Sequence, residues 1–333
     1  MSKDNPLVSI VTPTLNSADY LPDLIAAVEA QSYANIEHVL VDGASTDGTI
    51  EQIRDYASRG QVRWVSEPDS GTAEAITKGY RMATGDIVVL IPSDDLIFPW
   101  SVNVAVDHFR SHPEVDIVHG DSISWDMTTD TWSLRLHKRF SYGYFARTQT
   151  MTAQATYLLR HVIQGNEELD PSVPHASDYE QFFRLTRGRK VVNIPEVLAI
   201  FRKRPGAMNM RDGASELVDQ EVGVIRARYI RTSGPIYRVM KTWDRVSSAI
   251  HRRWQIFRLI KYSSRTGGTG TGLKPGTPWR NFLSAYTVSS TSASGLLSTL
   301  LPRRRQYPID IWSRSSAENL GVVERPMSDS QAD

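Results

Sequence analysis

The chain contains no cysteine among its 333 residues. Disulfide bonds, zinc sites built on thiolates, iron–sulfur clusters and a cysteine nucleophile are therefore excluded. No run of about 18 consecutive apolar residues occurs either, so the sequence predicts no transmembrane helix. The first residues, MSKDNPLVSIVTPTL, lack the charged start, long apolar segment and small-residue cleavage site of a signal peptide. These absences favour a cytoplasmic protein whose chemistry uses side chains other than thiols.

Glycine is missing from the turn that follows the first predicted strand, Pro13 to Ser17 (PTLNS). The dinucleotide-binding pattern GxGxxG and the phosphate-binding loop GxxxxGK[ST] both need glycine there, because the backbone must approach phosphate closely. Neither pattern is present, which argues against nicotinamide or flavin dehydrogenases and against P-loop nucleotide hydrolases. Any phosphate bound at this turn must be neutralised in another way.

The apolar residues that are present, 40% of the chain, fall into short β-branched runs that alternate with segments of helical spacing. Alternation of this kind predicts an α/β protein with a mostly parallel sheet flanked by helices. The predicted strands are Leu7–Thr12, Glu37–Val41, Val62–Val65, Ile87–Ile91 and Val115–Val118, and the predicted helices are Tyr20–Val28, Ile50–Ala57, Thr72–Ala83 and Trp100–His112.

Polar side chains lie at the ends of three predicted strands. Thr12 and Thr14 come at the end of the first strand, Asp42 follows the second, and Asp94 and Asp95 follow the fourth. The carboxyl ends of parallel strands meet at one edge of a sheet, where ligands bind, so these groups are expected to lie together. A carboxylate there can accept from a base or a ribose hydroxyl, or hold Mg²⁺ or Mn²⁺ against a diphosphate. Each motif taken singly is also what an ordinary turn or solvated loop contains.

Four segments of the chain resemble, in order and spacing, the inverting glycosyltransferases of family 2, which have a GT-A fold. They are LVSIVTPTLNSADYL, VLVDGASTDGT, SEPDSGTAEAITKGYRMATGD and the SDD at residues 93–95. The match is strong from Leu7 to Asp95 and looser as far as Arg204. Four ordered motifs are far more specific than any one of them. The resemblance implies a GT-A sheet, an inverting transfer reaction and a part in bacterial surface-polysaccharide synthesis.

The resemblance also implies roles for individual residues. Asp42 would contact the nucleobase, and Asp69 would lie near it. Asp94 and Asp95 would hold the ribose and the metal-bound diphosphate. The implied cofactor is Mn²⁺ or Mg²⁺, and the implied donor is a nucleoside-diphosphate sugar, with a UDP-sugar favoured. The predicted donor-binding residues are Thr12, Pro13, Thr14, Asp42, Asp69, Asp94 and Arg204, and the predicted metal ligand is Asp95.

The segment that begins Ser177-Asp178-Tyr179-Glu180 has aromatic residues at helical spacing. Family members carry an acidic pair or a similar triplet at this point, so the resemblance makes Asp178 the candidate general base. An acceptor hydroxyl must lose its proton as it attacks the anomeric carbon, and a positioned carboxylate typically contributes about 10²–10⁴-fold by taking it. Asp178 is also placed to cap the helix, and the two roles are compatible.

The chain departs from the family at two points. Relatives carry histidine in a motif after the last strand, where this chain has Arg204 within FRKRPGAMN. Arginine neutralises a diphosphate at least as well as histidine, but a contact that needs imidazole cannot be carried over. Relatives also carry a His-Gln pair where this chain has Ala153-Gln154. His175 fits either an acceptor-site residue or an ordinary loop histidine.

Basic residues concentrate in the carboxyl-terminal part of the chain. From Arg202 to Arg265 there are fifteen Lys or Arg against five Asp or Glu, although the whole chain has a net charge of +1. The segment from Arg238 to Tyr262 carries Val, Trp, Ile and Phe at helical spacing with basic flanks, which is typical of an amphipathic helix on an anionic membrane surface. A helix that packs on the catalytic domain has the same pattern. Nucleic acid is a weaker candidate, because no recognised binding module accompanies the charge.

The sequence therefore predicts four regions. Residues 1–120 form the nucleotide-sugar-binding half of a GT-A domain, and residues 121–212 form the half that binds the acceptor and carries the base. Residues 213–262 form a basic amphipathic helical extension, and residues 263–333 a flexible linker and tail.

The predicted activity is metal-dependent transfer of a sugar to a saccharide or lipid-linked saccharide, at the inner face of the cell membrane. A transferase with a soluble acceptor and a nucleotide-sugar-binding partner subunit without turnover are the alternatives. Asp178 argues against a pure binding protein, since binding has no use for a base. A phosphohydrolase that uses Asp94 and Asp95 would lack a third acidic ligand and a water-activating histidine.

Overall fold

The computed structural model describes residues 5–129, 131–135, 137, 140–145, 151–207, 213–229 and 239. The strands within them are β1 Val8–Thr14, β2 Ile36–Asp42, β3 Val62–Ser66, β4 Ile87–Leu90, β5 Leu96–Ile97, β6 Ile117–Asp126, β7 Thr131–Arg135, β8 Thr156–Leu159 and β9 Val191–Lys203. The helices are α1 Leu21–Glu29, α2 Thr49–Ala57, α3 Thr72–Met82, α4 Ser101–Ser111, α5 Tyr142–Phe145, α6 Arg160–Ile163, α7 Ser177–Leu185 and α8 Ala214–Tyr229, with a 3₁₀ turn at Ala153–Ala155.

The strands form a single mixed sheet in the order β3-β2-β1-β4-β8-β6-β9-β5, with β7 paired to β6. The first four strands in this order are parallel to one another, and β6 is parallel to β9. The short strand β8 runs antiparallel between β4 and β6. The predicted α/β class is confirmed, but β8 was not predicted. Its four buried or nearly buried residues are too few to show an alternating pattern.

Helices cover both faces of the sheet, because successive side chains of a strand point to opposite sides. Ile10 of β1 joins the core beneath α1 and α4, and its neighbour Val11 joins the core beneath α3 and α7. Close packing of α3 depends on Gly79, since a side chain there would overlap Val11. Packing against the strands therefore fixes the positions of the helices on the two faces of the sheet.

Strand β1 continues to Thr14, two residues beyond its predicted end. Beyond Val11 only β2 remains beside it, because the pairing with β4 ends at Leu90. A proline removes one ladder hydrogen bond, and Pro13 is tolerated here since β1 no longer has a strand on both sides. Thr14 pairs with Asp42, so these two predicted site residues lie side by side where β1 and β2 end.

The carboxyl-terminal half of the described chain also differs from the predicted boundaries. The predicted strand Val115–Val118 overlaps only the first two residues of β6, which runs on to Asp126 and forms an antiparallel hairpin with β7. A helix begins at Ala214, as the sequence predicted, and is described to Tyr229. The rest of the predicted extension apart from residue 239, and the predicted linker and tail, lie outside the described residues.

Candidate active site

Asp42 lies at the end of β2 and is completely buried. Its Oδ1 accepts hydrogen bonds from Thr14 Oγ1 (3.1 Å) and Ser45 Oγ (2.5 Å), and its Oδ2 accepts from Ser45 N (2.9 Å) and Ser66 Oγ (2.7 Å). A carboxylate has about four lone-pair sites, so these donors use them all. A nucleobase contact by Asp42 therefore requires one of the three hydroxyl groups to rotate away.

Asp69 lies beside Gly43, the residue that follows Asp42. A Cβ on Gly43 would come within 2.9 Å of Asp69 Oδ2 and 3.4 Å of Leu15 Cδ1. The Asp69 carboxylate is held by a hydrogen bond from Gly71 N (2.9 Å), and the Leu15 side chain is 55% exposed. A carboxylate and an exposed apolar side chain thus both lie close to Gly43, on the side where a Cβ would be.

Thr12 and Pro13 are the two residues of β1 before Thr14, the last residue of the strand. The Thr12 hydroxyl donates to Ile91 O (2.8 Å), and its oxygen is 2.9 Å from His38 Nε2. Thr12 is completely buried, and Pro13 is buried as well. The hydroxyl of Thr12 therefore ties β1 to the start of the loop that carries Asp94, and its role in donor binding stays a prediction.

Asp94 and Asp95 come directly before β5, which pairs with β9. Asp94 Oδ2 accepts a hydrogen bond from Arg204 Nε (2.7 Å), and Asp95 Oδ1 accepts one from Arg202 N (2.8 Å). Asp95 is 1% exposed. Burial, and secondly the negative charge of Asp94, raise the pKa of Asp95 well above its usual range. A cation or a strong donor beside Asp95 would therefore stabilise its ionised form.

Arg202 is a site residue to which the sequence analysis gave no role. It is 2% exposed, and its Nη1 donates to Asp23 Oδ2 at 2.5 Å. Its Nε donates to the carbonyl oxygen of Asp94 and its Nη2 to that of Tyr20. Arg202 therefore fixes the loop before β5 through its side chain and its backbone. The signal that could have revealed it is that Arg202 has the same parity along β9 as the buried Ile200.

Tyr20 joins the two arginines of this region. The Cζ atoms of Arg202 and Arg204 lie 5.4 Å and 4.9 Å from the centre of its ring. Ser17 of the same turn is 2.7 Å from the hydroxyl of Ser93, the first residue of the SDD motif. The glycine-free turn after β1 is thus joined to the acidic loop by a hydroxyl pair and an aromatic ring, with cationic side chains beside it.

Asp178 is in the first turn of α7 and is half-buried. Its Oδ1 accepts from Tyr179 N (2.7 Å), so it caps the helix. Asp178 also lies near Tyr80 of α3. Burial is the main cause that raises the pKa of the Tyr80 hydroxyl, a hydrogen bond to Gln181 lowers it, and the negative charge of Asp178 raises it further. Helix α7 leads through residues 186–190 into β9, which begins beside the start of β6. The helix therefore runs back along the sheet, and Asp178 lies towards the edge where β1, β2 and β4 end.

Gln154, next to one point of departure from the family, and His175 both have defined surroundings. Gln154 lies on the 3₁₀ turn before β8 and is 3% exposed, and its Nε2 has no hydrogen-bond partner in the part of the chain that the structure describes. His175 is not an unattached loop residue, because its Nδ1 lies 2.7 Å from Glu221 Oε1 on α8.

The donor atoms fit a divalent cation that is shared with a substrate. Among the described residues, no group of three His, Cys, Asp or Glu side chains is arranged to hold a metal ion. Mg²⁺ and similar hard cations are usually held in such sites by one or two carboxylates together with substrate phosphates. Asp94 and Asp95 supply carboxylates of this kind, and Asp95 Oδ2 receives no hydrogen bond from the described part of the chain.

Residues 9–166 match the family model described as Glycosyl transferase family 2. The chain is similar to a chondroitin synthase of Escherichia coli, with 24% identity over 186 residues that make up 54% of this chain and 26% of that protein. The chain thus spans about a quarter of the length of this relative.

Two solved structures have a similar fold. TarS residues 1–349 of S. aureus in complex with UDP-GlcNAc superposes with a TM-score of 0.53 at 17% identity, over 66% of each chain. The mannosyltransferase PcManGT from Pyrobaculum calidifontis, in complex with GDP-Man and Mn²⁺, superposes with a TM-score of 0.54 at 17% identity, over 89% of this chain and 86% of that one. At such identities the two structures establish the shared GT-A-like fold and nothing beyond it.

Proposed function

We propose, on the premise that residues 9–166 belong to glycosyl transferase family 2, that the chain transfers a sugar from a nucleoside-diphosphate sugar to an acceptor hydroxyl with inversion. The observation that carries the proposal is the convergence of carboxylates on one edge of the sheet. Asp42, the Asp94-Asp95 pair and Asp178 are delivered there by β2, by the loop after β4 and by α7.

The nucleoside end of the donor fits the region around Gly43. A base has a flat apolar face and polar edges, and Leu15 and Asp69 offer an exposed apolar side chain and an acceptor next to Gly43. Asp42 sits directly below, with its hydrogen bonds satisfied by hydroxyl groups that can rotate. A UDP-sugar is the favoured donor, as UDP-GlcNAc is the ligand of TarS in the structure compared above.

The diphosphate fits the loop of Asp94 and Asp95. Arg204 lies against Asp94 and retains further N–H groups that can meet phosphate oxygens. A divalent cation held by Asp95, with Asp94 beside it, would act as a Lewis acid towards the diphosphate. Asp42, Asp69 and Arg204 would orient the donor, so that the face of the anomeric carbon opposite the diphosphate is open to the acceptor.

Asp178 acts on that open face. As the acceptor oxygen forms its bond to the anomeric carbon, the bond from that carbon to the diphosphate oxygen breaks, and its electron pair leaves with the nucleoside diphosphate. The proton of the acceptor hydroxyl passes to a carboxylate oxygen of Asp178. Attack opposite the leaving group inverts the configuration at the anomeric carbon.

The experiment that tests this function is incubation of the chain with UDP-sugars and Mn²⁺. Release of UDP without inorganic phosphate marks a transferase, release of inorganic phosphate marks a phosphohydrolase, and thermal stabilisation without any release marks a binding subunit. We expect the first result, slow with water alone and faster with an acceptor saccharide.

Removal of the metal is expected to stop transfer. EDTA should abolish it, an excess of Mn²⁺ should restore it, and Asp95→Asn should lower it in Mn²⁺ because a ligand charge is lost while the shape is kept. Calorimetry with UDP and Mn²⁺ should show weaker joint binding to Asp95→Asn. Asp55→Asn, the same change at an exposed position on α2, is the matched control. Full activity of Asp95→Asn in chelator would refute the metal site.

The proposed setting is synthesis of a cell-surface polysaccharide on the cytoplasmic side of the membrane. One relative, which matches 54% of this chain, is a chondroitin synthase, and chondroitin is a polysaccharide. None of the helices among the described residues is long and apolar enough to cross a bilayer. The proposed contact with anionic lipid is made by the basic segment 238–262, where each Lys or Arg near the surface contributes on the order of 1 kcal/mol.

Vesicle flotation tests this location. The full chain should float with vesicles that contain phosphatidylglycerol at low salt and float less at high salt, and it should not float with neutral vesicles. A chain that ends at Tyr229 should stay in solution. This end point keeps α8, which packs on the catalytic half through the buried Ile225. If the full chain and the shortened chain float to the same extent, segment 238–262 does not dock the protein on the membrane.

A further inference from the structure

We propose that Glu221 of α8 is a positioning residue that holds the candidate base Asp178 in place through the turn at which α7 begins. This inference rests on the proposed function, in which Asp178 takes the proton of the acceptor. It gives the first helix of the predicted carboxyl-terminal extension a part in the catalytic half of the molecule.

Glu221 contacts the residues that lead into α7. Its Oε2 accepts hydrogen bonds from His175 N and Ala176 N, both at 2.8 Å, and its Oε1 lies 2.7 Å from His175 Nδ1. The Glu221 side chain is 15% exposed and that of His175 is 22% exposed. Hydrogen bonds to a largely buried carboxylate are stronger than those between neutral groups. Glu221 therefore fixes the backbone two and three residues before Asp178.

The amino-terminal turn of α7 cannot be held in this way by its own capping residue. The residue at the cap position is Ala176, whose side chain has no acceptor and makes no capping hydrogen bond. Asp178 itself accepts from Tyr179 N within the helix. Glu221, on another helix, accepts from the N–H groups of His175 and Ala176 and so holds the chain at the point where it enters α7.

The carboxyl-terminal end of α8 contacts α7 itself. Tyr229 donates through its hydroxyl to Glu180 Oε1 (2.5 Å), and Glu180, which is 1% exposed, also accepts from Arg184 Nε at 2.9 Å. The ring of Tyr229 stacks on Phe183 with the ring centres 5.3 Å apart. Because α8 is attached both to the turn before α7 and to the middle of α7, the carboxylate of Glu221 holds a fixed position relative to Asp178.

A general base must lie within about 2.6–3.2 Å of the proton donor's heavy atom, and a displacement of about 1 Å can cost on the order of a hundredfold in rate. Loss of the Glu221 contacts frees the turn before Asp178 and leaves the donor site around Asp42 and Asp94 untouched. The effect should therefore be on kcat and not on donor affinity.

Glu221→Ala is expected to lower kcat about tenfold or more and to leave the calorimetric Kd for UDP within about twofold. Glu221→Gln keeps an oxygen that can accept from both backbone N–H groups, so it should recover most of the lost rate. Glu216→Ala, at an exposed position on the same helix, is the matched control and should match the unmodified chain. If Glu221→Ala does not fold, Glu221→Asp replaces it, because the shorter side chain withdraws the carboxylate from the same N–H groups.

A double-mutant cycle with Asp178→Asn shows whether Glu221 acts through Asp178. We expect Glu221→Ala to cause no further loss of kcat once Asp178 is Asn. An equal loss in both backgrounds, an unchanged kcat in Glu221→Ala, or a parallel rise in the Kd for UDP would each overturn the positioning role. Normal turnover of the single variant Asp178→Asn would show that another group takes the proton, and failure of the unmodified chain to release UDP would overturn the proposed function, so these failures are distinguishable from failure of the positioning role.

Discussion

Asp178→Asn is expected to lower kcat about a hundredfold or more, and to leave the affinity for UDP and for the nucleotide sugar nearly unchanged. The change removes the proton acceptor and keeps the shape of the side chain, whose Oδ1 also caps Tyr179 N. An amide oxygen can still accept that hydrogen bond, so the helix should remain formed. The loss should appear only in the step in which the acceptor hydroxyl is deprotonated.

The measurement is steady-state transfer to a saccharide acceptor together with calorimetric titration of UDP. Asp219→Asn, the same change at an exposed position on α8, is the matched control and should transfer at the normal rate. A parallel fall in donor affinity would show that Asp178 holds the donor or the fold. A normal rate would show that another group takes the proton.

Much of the sheet could be predicted from the sequence because its strands are buried on both faces. Such strands are continuous apolar runs, and the run Ile87–Leu90 is β4 with all four residues buried. Strand β8 escaped prediction for the opposite reason. It is four residues long, it follows a 3₁₀ turn, and its place between β4 and β6 depends on pairing with segments that are distant in the chain.

The predicted site residues illustrate a second limit. Polar residues at strand ends were expected to lie together, and Asp42 and Thr14 do pair side by side. Thr12 has the same parity as Thr14, but it lies two residues before the end of β1, and its hydroxyl contacts Ile91 and His38. A motif lists its residues without saying what each side chain contacts, since that depends on where the strand ends and on which segments lie beside it.

Side-chain contacts between segments that are far apart in the chain could not be predicted, because no local sequence pattern shows them. Glu221 and His175 are 46 residues apart, and Arg202 and Asp23 are 179 residues apart. Most glutamates on helices face solvent, and the sequence does not show which of them instead contact a distant part of the chain. The fold decides this, because packing of Ile225 and Tyr229 brings α8 onto α7.

Arg202→Met is expected to destabilise the chain by about 3–5 kcal/mol, the usual result of removing one partner of a buried ion pair. Methionine fills part of the volume but removes the guanidinium that forms the ion pair with Asp23 and donates to the carbonyl of Asp94. The loop that holds Asp94 and Asp95 then loses the side-chain hydrogen bond that fixes its backbone. We therefore expect weaker binding of UDP with Mn²⁺ in the fraction that remains folded.

Urea unfolding and calorimetry measure the two effects. Lys203→Met, the same change one residue further along β9, is the matched control, because alternation along the strand points Lys203 away from Arg202. Arg202→Lys should lose less stability than Arg202→Met, since it keeps a charge near Asp23, but it cannot reproduce the several N–H contacts of the guanidinium. A loss in Arg202→Met no larger than that in Lys203→Met would show that Arg202 does not hold the acidic loop. A large loss of stability with unchanged UDP affinity would show that Arg202 stabilises the fold but does not organise the donor site.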